Sequence, residues 1–320
     1  MGRYIIRRLL YAIPTLLGIT ILSYGLMVLA FPQGPVAAMT FGPRTRPAER
    51  ETLTKQLGLD QPVYVQYIRW LGRALQGDLG RSFSSRRNVS DLIMERVPAT
   101  LELGALSLFF GVLVGVPLGV WSAVKQGSWF DNVTRVLAVL VSSIPTFWLG
   151  LIMILIFSSR LGILPPGGRF PANLSGDYTF LDRIKHLTMP VFVLAMGDIA
   201  FLSRYMRAAT LEVSRQDYIR TAQSKGLPAS TVWFTHAMRN AMIPLATFLG
   251  PALVGLLNGA VITETIFSWP GLGRLAVEAV SSLDYPVVMA TVLIGAISTI
   301  LGYLLSDIMY AWIDPRIRYS

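Results

Sequence analysis

Between Glu102 and Lys125 the chain reads LGALSLFFGVLVGVPLGVWSAV, Leu103 to Val124, 22 residues without a charge. A helix needs about 20 mostly apolar residues to cross a bilayer. Four more charge-free stretches have that length: Leu9–Pro43, Val136–Ser159, Asn240–Thr263 and Tyr285–Ser306. The helical part of the first should end near Phe31, before Pro32 and Gly34. A sixth stretch, Leu187–Ala209, is apolar apart from Asp198, Arg204 and Arg207. It is read as a span, because without it the loop before it and the basic loop after it would share one side. The expected fold is an all-α membrane protein with six transmembrane helices.

Composition agrees. The 320 residues are 53% hydrophobic and 14% charged, against roughly 25% charged in a soluble domain. A net charge of +10 raises the question of nucleic acid. The basic residues are scattered between apolar blocks, however, as in the loops and ends of membrane helices. Nucleic acid is therefore not an expected partner, and the lipid bilayer is.

Short-loop Lys and Arg set the orientation. Arg3, Arg7 and Arg8, then Lys125 and Arg135, then six basic residues over 204–239, then Arg316 and Arg318 fall on one face if both termini are cytoplasmic. The segment 32–98, with ten basic and six acidic residues, is too long for that rule and is assigned outside. Three regions follow: 1–31, a tail and first helix; 32–98, an extracytoplasmic segment; and 99–320, five spans containing a cytoplasmic loop at 211–240. Val28-x-Ala30 loosely resembles a signal cleavage site. The preceding apolar stretch is longer than a signal core of about 7–15 residues, so the first helix is read as retained.

Within 32–98, Val63, Tyr67, Trp70, Leu71 and Ala74 recur at helical spacing over Gln61–Leu75. Tyr64, Tyr67 and Trp70 suit a helix lying at the membrane surface. A structural collar and a landing surface for an external partner are both open, and Asp78-Leu79-Gly80 should end the helix. Gly111, Gly115 and Gly119 stand four apart, a pattern that lets membrane helices approach closely.

Several chemistries are excluded. No cysteine is present, so thiolate sites and disulfides are absent. The only histidines, His186 and His236, are far apart, and a zinc motif is missing. No Lys follows a Gly, so the phosphate-binding GxxxxGK[ST] loop is absent, and the chain is no ATPase. Nor do the spans show a Ser/Lys, His/Glu or paired-Asp set for an intramembrane enzyme. No cofactor is expected in this chain.

The loop at 211–240 reads Leu211-Glu-Val-Ser-Arg-Gln-Asp-Tyr-Ile-Arg-Thr-Ala-Gln-Ser-Lys-Gly226-Leu-Pro, and continues to Thr235-His-Ala-Met-Arg-Asn-Ala-Met-Ile-Pro244. Asp217, Arg220 and Thr221 share one helical face, and Tyr218, Ala222 and Lys225 another. Gly226 suits the residue after a helix end, and Pro228 prevents continuation. A second helix is expected, with Ser230 as its N-cap. Such an elbow between two spans can act as a lever; an ordinary solvated loop is the competing reading.

This loop resembles the EAA loop of ABC-importer permeases, in the branch that moves peptides and nickel. That branch shows D-Y-[IV]-x-T-A-x-[AS]-K-G-L followed by H-x-[LM]-R-N-A-x-x-P. Here Asp217 to Leu227 and His236 to Pro244 supply it in order. One departure from the wider superfamily is clear: the EAA positions hold Arg220, Thr221 and Ala222, so the signature Glu is missing. Gly58-Leu-Asp-Gln-Pro, Gly77-Asp-Leu-Gly-Arg-Ser-Phe, Arg96-Val-Pro-Ala-Thr-Leu, Ser142-Ser-Ile-Pro-Thr-Phe-Trp-Leu-Gly, Leu164-Pro-Pro-Gly-Gly, Glu264 to Arg274 and Asp314-Pro-Arg-Ile-Arg extend the likeness over nearly the whole chain.

The resemblance implies a permease subunit in a bacterial inner membrane. It would pair with a homologous second permease, as a heterodimer, and sit on two cytoplasmic ATP-binding subunits that hold ATP and Mg. A binding protein outside would deliver peptides. Asp217, Tyr218, Arg220, Thr221, Ala222, Lys225 and Gly226 would face the ATPase, with His236, Arg239 and Asn240 bracing the elbow. Asp198, ionisable within a span, either lines the pathway, pairs with Arg204 about 9 Å along the helix by rise, or sits near an exit. Glu264, Trp269 and Pro270 form either an outer gate or a structural re-entrant turn. A nickel or glutathione importer shares this architecture. A stand-alone secondary transporter would predict inverted repeats and acidic residues in several spans; only Asp198 lies deep in one.

Overall fold

The computed structural model describes residues 2–30, 51–52, 54–55, 58–171, 178–242, 245, 248, 250, 252, 256 and 260–313. Most of Asn240–Thr263, part of the segment 32–98, Pro244, Pro251 and the Asp314 motif fall outside them. Within the described residues the chain is helical, with one isolated bridge between Arg81 and Asn88. Four helices there are long and apolar enough to cross a membrane: Tyr4–Ala30, Val89–Val124, Phe180–Ser214 and Tyr285–Ile308.

Val136–Ser159, expected as one straight span, is broken. Trp129–Ser143 and Thr146–Arg160 meet at 93°. Pro145 is the cause: it lacks an N–H and pushes its predecessor out of the helical region, and Ile144 is extended at φ −83, ψ 122.

The chain packs as two units. The first comprises Met1–Thr100, Leu257–Val261 and Pro270–Ile300. Helix α1 (Gly2–Ala30) carries many exposed leucines, including Leu22, Leu26 and Leu29, a surface suited to lipid. Helix α2 (Val63–Ala74) lies against it. Gln66 accepts from Tyr24 at 2.9 Å, the Thr20 and Tyr67 hydroxyls are 2.9 Å apart, and Trp70 is buried. The helix ends at Gly77 (φ +81) in a Schellman turn, with Asp78 N–H bonded to Arg73 O and Gly77 N–H to Ala74 O. The break thus comes one residue before the expected Asp78. Helix α3 (Val89–Val124) starts well before Leu103. Its first turns pack on α9 (Leu272–Ser281) through Val89, Leu92, Ile93, Leu272 and Leu275. The buried Asp284 carboxylate, just before α10 (Tyr285–Ile313), accepts from the Ser82 and Ser84 hydroxyls and from the Phe83 and Ser84 amides.

The second unit comprises Leu101–Leu256, Ile262–Trp269 and Leu301–Ser320. It holds the rest of α3, α4 (Trp129–Ser143), α5 (Thr146–Met153) with the π-helical Ile154–Arg160, and α6 (Phe180–Ser214). A capping box of Thr179 and Asp182 opens α6. The glycine row of α3 is its contact with α6. An ideal Cβ would lie 2.5 Å from Asp198 Cβ at Gly111, 2.9 Å from Leu202 Cβ at Gly115 and 2.5 Å from Ser203 O at Gly119. Only residues lacking a side chain allow this approach.

Candidate functional site

The elbow is built by three local choices. Helix α6 stops at Ser214, Gln216 turns extended (φ −75, ψ 150), and α7 (Asp217–Ser224) begins. A Schellman turn then ends α7: Leu227 N–H reaches Ala222 O, and Gly226 N–H reaches Gln223 O at 2.9 Å. Gly226 supplies the φ of +73 that this turn needs. The next arm starts at Ala229 behind Pro228, not behind a Ser230 cap. Pro228 is itself the extended residue (ψ 143) and makes no side-chain cap bond. The arm runs through Ala229–Thr231, the π-helical Val232–Ala237 and Met238–Ala241.

A small buried cluster holds the two arms together: Ile219 and Ala222 of α7 against Val232 and Ala237. Ala222, expected on the contact surface, is only 7% exposed. Its methyl braces the elbow's inside instead of facing a partner. Ile219 and Val232 do the same and were not singled out in the sequence; their apolar character at a spacing of three on an otherwise polar helix was the available signal. On the outside, Asp217, Arg220, Thr221 and Lys225 are exposed, with Arg220 and Asp217 3.7 Å apart.

Across the elbow, Asn240 donates to His236 O at 2.9 Å and is hydrogen-bonded to Tyr218. Burial raises the Tyr218 phenol above its usual pKa, and the Asn240 bond opposes that rise. His236 is half-buried and Arg239 is exposed. Phe234 of the second arm packs on Trp121 of α3, ring centres 6.0 Å apart, with the Lys125 ammonium 5.7 Å from the Trp121 ring centre.

The root of the elbow carries an ion pair that the sequence reading missed. Arg207 of α6 donates twice to Asp131 of α4, which also accepts from the Ser122 hydroxyl and the Gly127 amide. Ser128 and Asp131, spaced like a helix cap, hinted at the local turn. Nothing local pointed to Arg207.

The other expected site residues lie apart from the elbow. Asp198 is partly buried against Gly111 and has no hydrogen-bond or ion-pair partner among the described residues. Arg204 does not pair with it; its guanidinium donates to Ala200 O at 3.1 Å. Glu264 and Trp269 are completely buried, and Trp269 N–H closes a turn onto Glu264 O at 2.8 Å. Phe267 within this turn packs on Met189 and Val193, and its carbonyl accepts from Gly168 N–H at 2.7 Å. Such burial suits a structural turn better than a gate. Pro270 is half-buried. Among the described residues no group of three His, Asp or Glu side chains is placed to hold a metal ion.

Comparison with known proteins adds the family. Residues 115–319 match the model for "Binding-protein-dependent transport system inner membrane component", and residues 1–104 match the corresponding N-terminal model. The chain is 44% identical to the oligopeptide transport system permease protein AppB of Bacillus subtilis (strain 168), over all of both chains. It is 41% identical to the di/tripeptide transport system permease protein DppB of Pseudomonas aeruginosa (strain UCBPP-PA14), again over both full lengths. Among solved structures, the MetNI methionine ABC transporter in an inward-facing conformation aligns with a TM-score of 0.53 at 21% identity, covering 71% of this chain and 97% of that one. That last likeness speaks for the fold alone. Together with the apolar helices, these matches make the chain a transporter subunit, not an enzyme: it belongs to the family of inner membrane components of binding-protein-dependent transport systems.

Proposed function

We propose that this permease forms half of the translocation pathway of an ATP-driven importer of peptides, and that the elbow is its seat on a cytoplasmic ATPase. The elbow's build carries the reading. A polar outer face of Asp217, Arg220, Thr221 and Lys225 stands on a buried brace of Ile219, Ala222, Val232 and Ala237, so a push on the outside reaches both flanking helices without being absorbed in the loop. Tyr218, Gly226, His236, Arg239 and Asn240 complete the unit. The signature Glu is absent, so contact rests on Tyr218, Arg220 and the turn at Gly226. The peptide cargo is supported by the printed names of the relatives, which are oligopeptide and di/tripeptide permeases.

In this scheme six helices span a bacterial inner membrane with both termini cytoplasmic. The regions are 1–31, an extracytoplasmic 32–98, and a pathway-forming 99–320. A second, homologous permease completes the pathway, two ATPase subunits hold ATP and Mg, and an external binding protein delivers the peptide. Rigid-body rocking would then expose the pathway to each side in turn. Asp198, ionisable and unpartnered beside Gly111, is the candidate pathway residue.

The test is substrate-stimulated ATP hydrolysis by the assembled complex. Gly226→Pro should assemble normally and lose that stimulation; full stimulation would overturn the assignment of the elbow. Asp198→Asn, at normal expression, should lower uptake of at least some peptides; wild-type uptake across several would remove it from the pathway.

A further inference from the structure

We infer that the first unit holds a site for the headgroup of an anionic phospholipid, between α1, α2 and the start of α10. A cavity of about 560 Å³ opens there, within the range of small-ligand sites. Its apolar wall is Tyr24, Trp70, Tyr285 and Met289, which form one packed cluster. Its rim carries Arg69 and Arg73, one helical turn apart on α2.

Three observations point to a phosphate carried on an apolar tail. First, the cation balance is unmet. Lys55, also on the rim, is already paired with Glu51 at 2.7 Å. Arg69 and Arg73 have no ion-pair or hydrogen-bond partner among the described residues. Guanidinium groups match a phosphate's oxygens in a bidentate fashion. Second, the Trp70 indole N–H is buried and has no acceptor, although the residue is 7% exposed. Buried donors are almost always paired, and a phosphate or ester oxygen seated on this wall supplies the missing acceptor. Third, the site lies where such a molecule is found. Tyr24 and Met27 sit in the last turns of an apolar helix that ends at Ala30, and α2 is amphipathic with Tyr64 and Ile68 exposed. That combination belongs to a membrane interface, where basic side chains attract anionic lipids. The other wall residue class, aromatic rings with a polar handle, also favours that depth. The inference rests on α1 crossing the bilayer and is independent of the cargo.

The experiment uses the full chain co-expressed with its partner subunits and reconstituted in nanodiscs of mixed phosphatidylglycerol and phosphatidylcholine. Lipid retained after detergent extraction is read by native mass spectrometry. Phosphatidylglycerol should be retained over phosphatidylcholine by about tenfold. Arg69→Gln with Arg73→Gln should abolish that preference, and Arg69→Lys with Arg73→Lys should keep part of it. Equal retention of the two lipids by the unsubstituted protein would overturn the site, as would an unchanged preference in the double Gln variant. Displacement of phosphatidylglycerol by inorganic phosphate would show a free-anion site and overturn the lipid reading. Loss of binding-protein docking in the Gln variant, with no lipid preference in the unsubstituted protein, would reassign the two arginines to that partner.

Discussion

Arg207 holds Asp131 with two parallel hydrogen bonds, Nε to Oδ1 at 2.6 Å and Nη2 to Oδ2 at 2.8 Å. The carboxylate is almost fully enclosed and takes two further donors from α3 and the turn before α4. One acidic group thereby ties three helices where α6 leads into the elbow. Removing one partner of a buried pair leaves the other charge stranded, at a cost of roughly 3 kcal/mol. Arg207→Met should therefore lower the thermal unfolding midpoint of the detergent-solubilised complex by several degrees. Arg207→Lys, which keeps the charge and loses the fork, should fall between. An unchanged midpoint for the Met variant would show that the pair is not structural.

The glycine row predicts a contrast. Gly119→Val places carbon where Ser203 O, Met206 Cβ and Arg207 N already stand. Overpacking of this kind costs about 1–3 kcal/mol, and yield and melting temperature should both drop. Gly197→Ala, also in a helix, meets nothing within 4 Å. It should be neutral or slightly stabilising, because Ala is the better helix former. Similar losses for both would mean that the close approach of α3 and α6 is not what the glycines serve.

The elbow's two faces should separate in function. Ala222→Leu forces volume into the cluster with Ile219, Val232 and Ala237 and should destabilise the fold by about 1–3 kcal/mol. Arg220→Ala removes an exposed side chain whose pair with Asp217 is worth little. Its melting curve should be unchanged, while substrate-stimulated ATP hydrolysis falls. Thermal melts beside ATPase assays decide this, and an Arg220→Ala complex with intact stimulation would take that residue out of the contact.

At Gly226 the constraint is backbone alone, since a Cβ there meets no atom within 4 Å. A φ of +73 costs most residues about 1–2 kcal/mol, and less for Asn. The order of retained coupling should be Gly, then Asn, then Ala, with Val last. A flat series, measured as peptide imported per ATP hydrolysed, would show that the turn is free to rearrange.

Much of this was readable from charge-free length and from a few local rules. The apolar runs located four of the spans because lipid contact tolerates no other pattern. Gly226 and Pro228 marked the elbow because their backbone preferences are intrinsic. Other features were hidden for physical reasons. The 93° break follows from Pro145, yet prolines at Pro14, Pro117 and Pro190 sit inside continuous helices. Whether a proline breaks or merely bends depends on packing that no single stretch reveals. The inward turn of Ala222 depended on which side of α7 its neighbour covers, and Arg207 meets Asp131 across 76 positions of sequence. Pairings of that range belong to the tertiary arrangement, not to any motif.

The π-helical stretch Val232–Ala237 has a further consequence. A π turn accommodates one more residue than an α turn between the same flanking segments. Each residue advances a helix by about 100°. Deleting one residue from this stretch would restore ordinary winding, and everything downstream would swing by about that angle. Asn240 would leave Tyr218, and the helix that follows would enter the membrane showing a different side. The angular phase between the elbow and that helix is thus written into the chain as a single inserted residue, a length rather than a side chain.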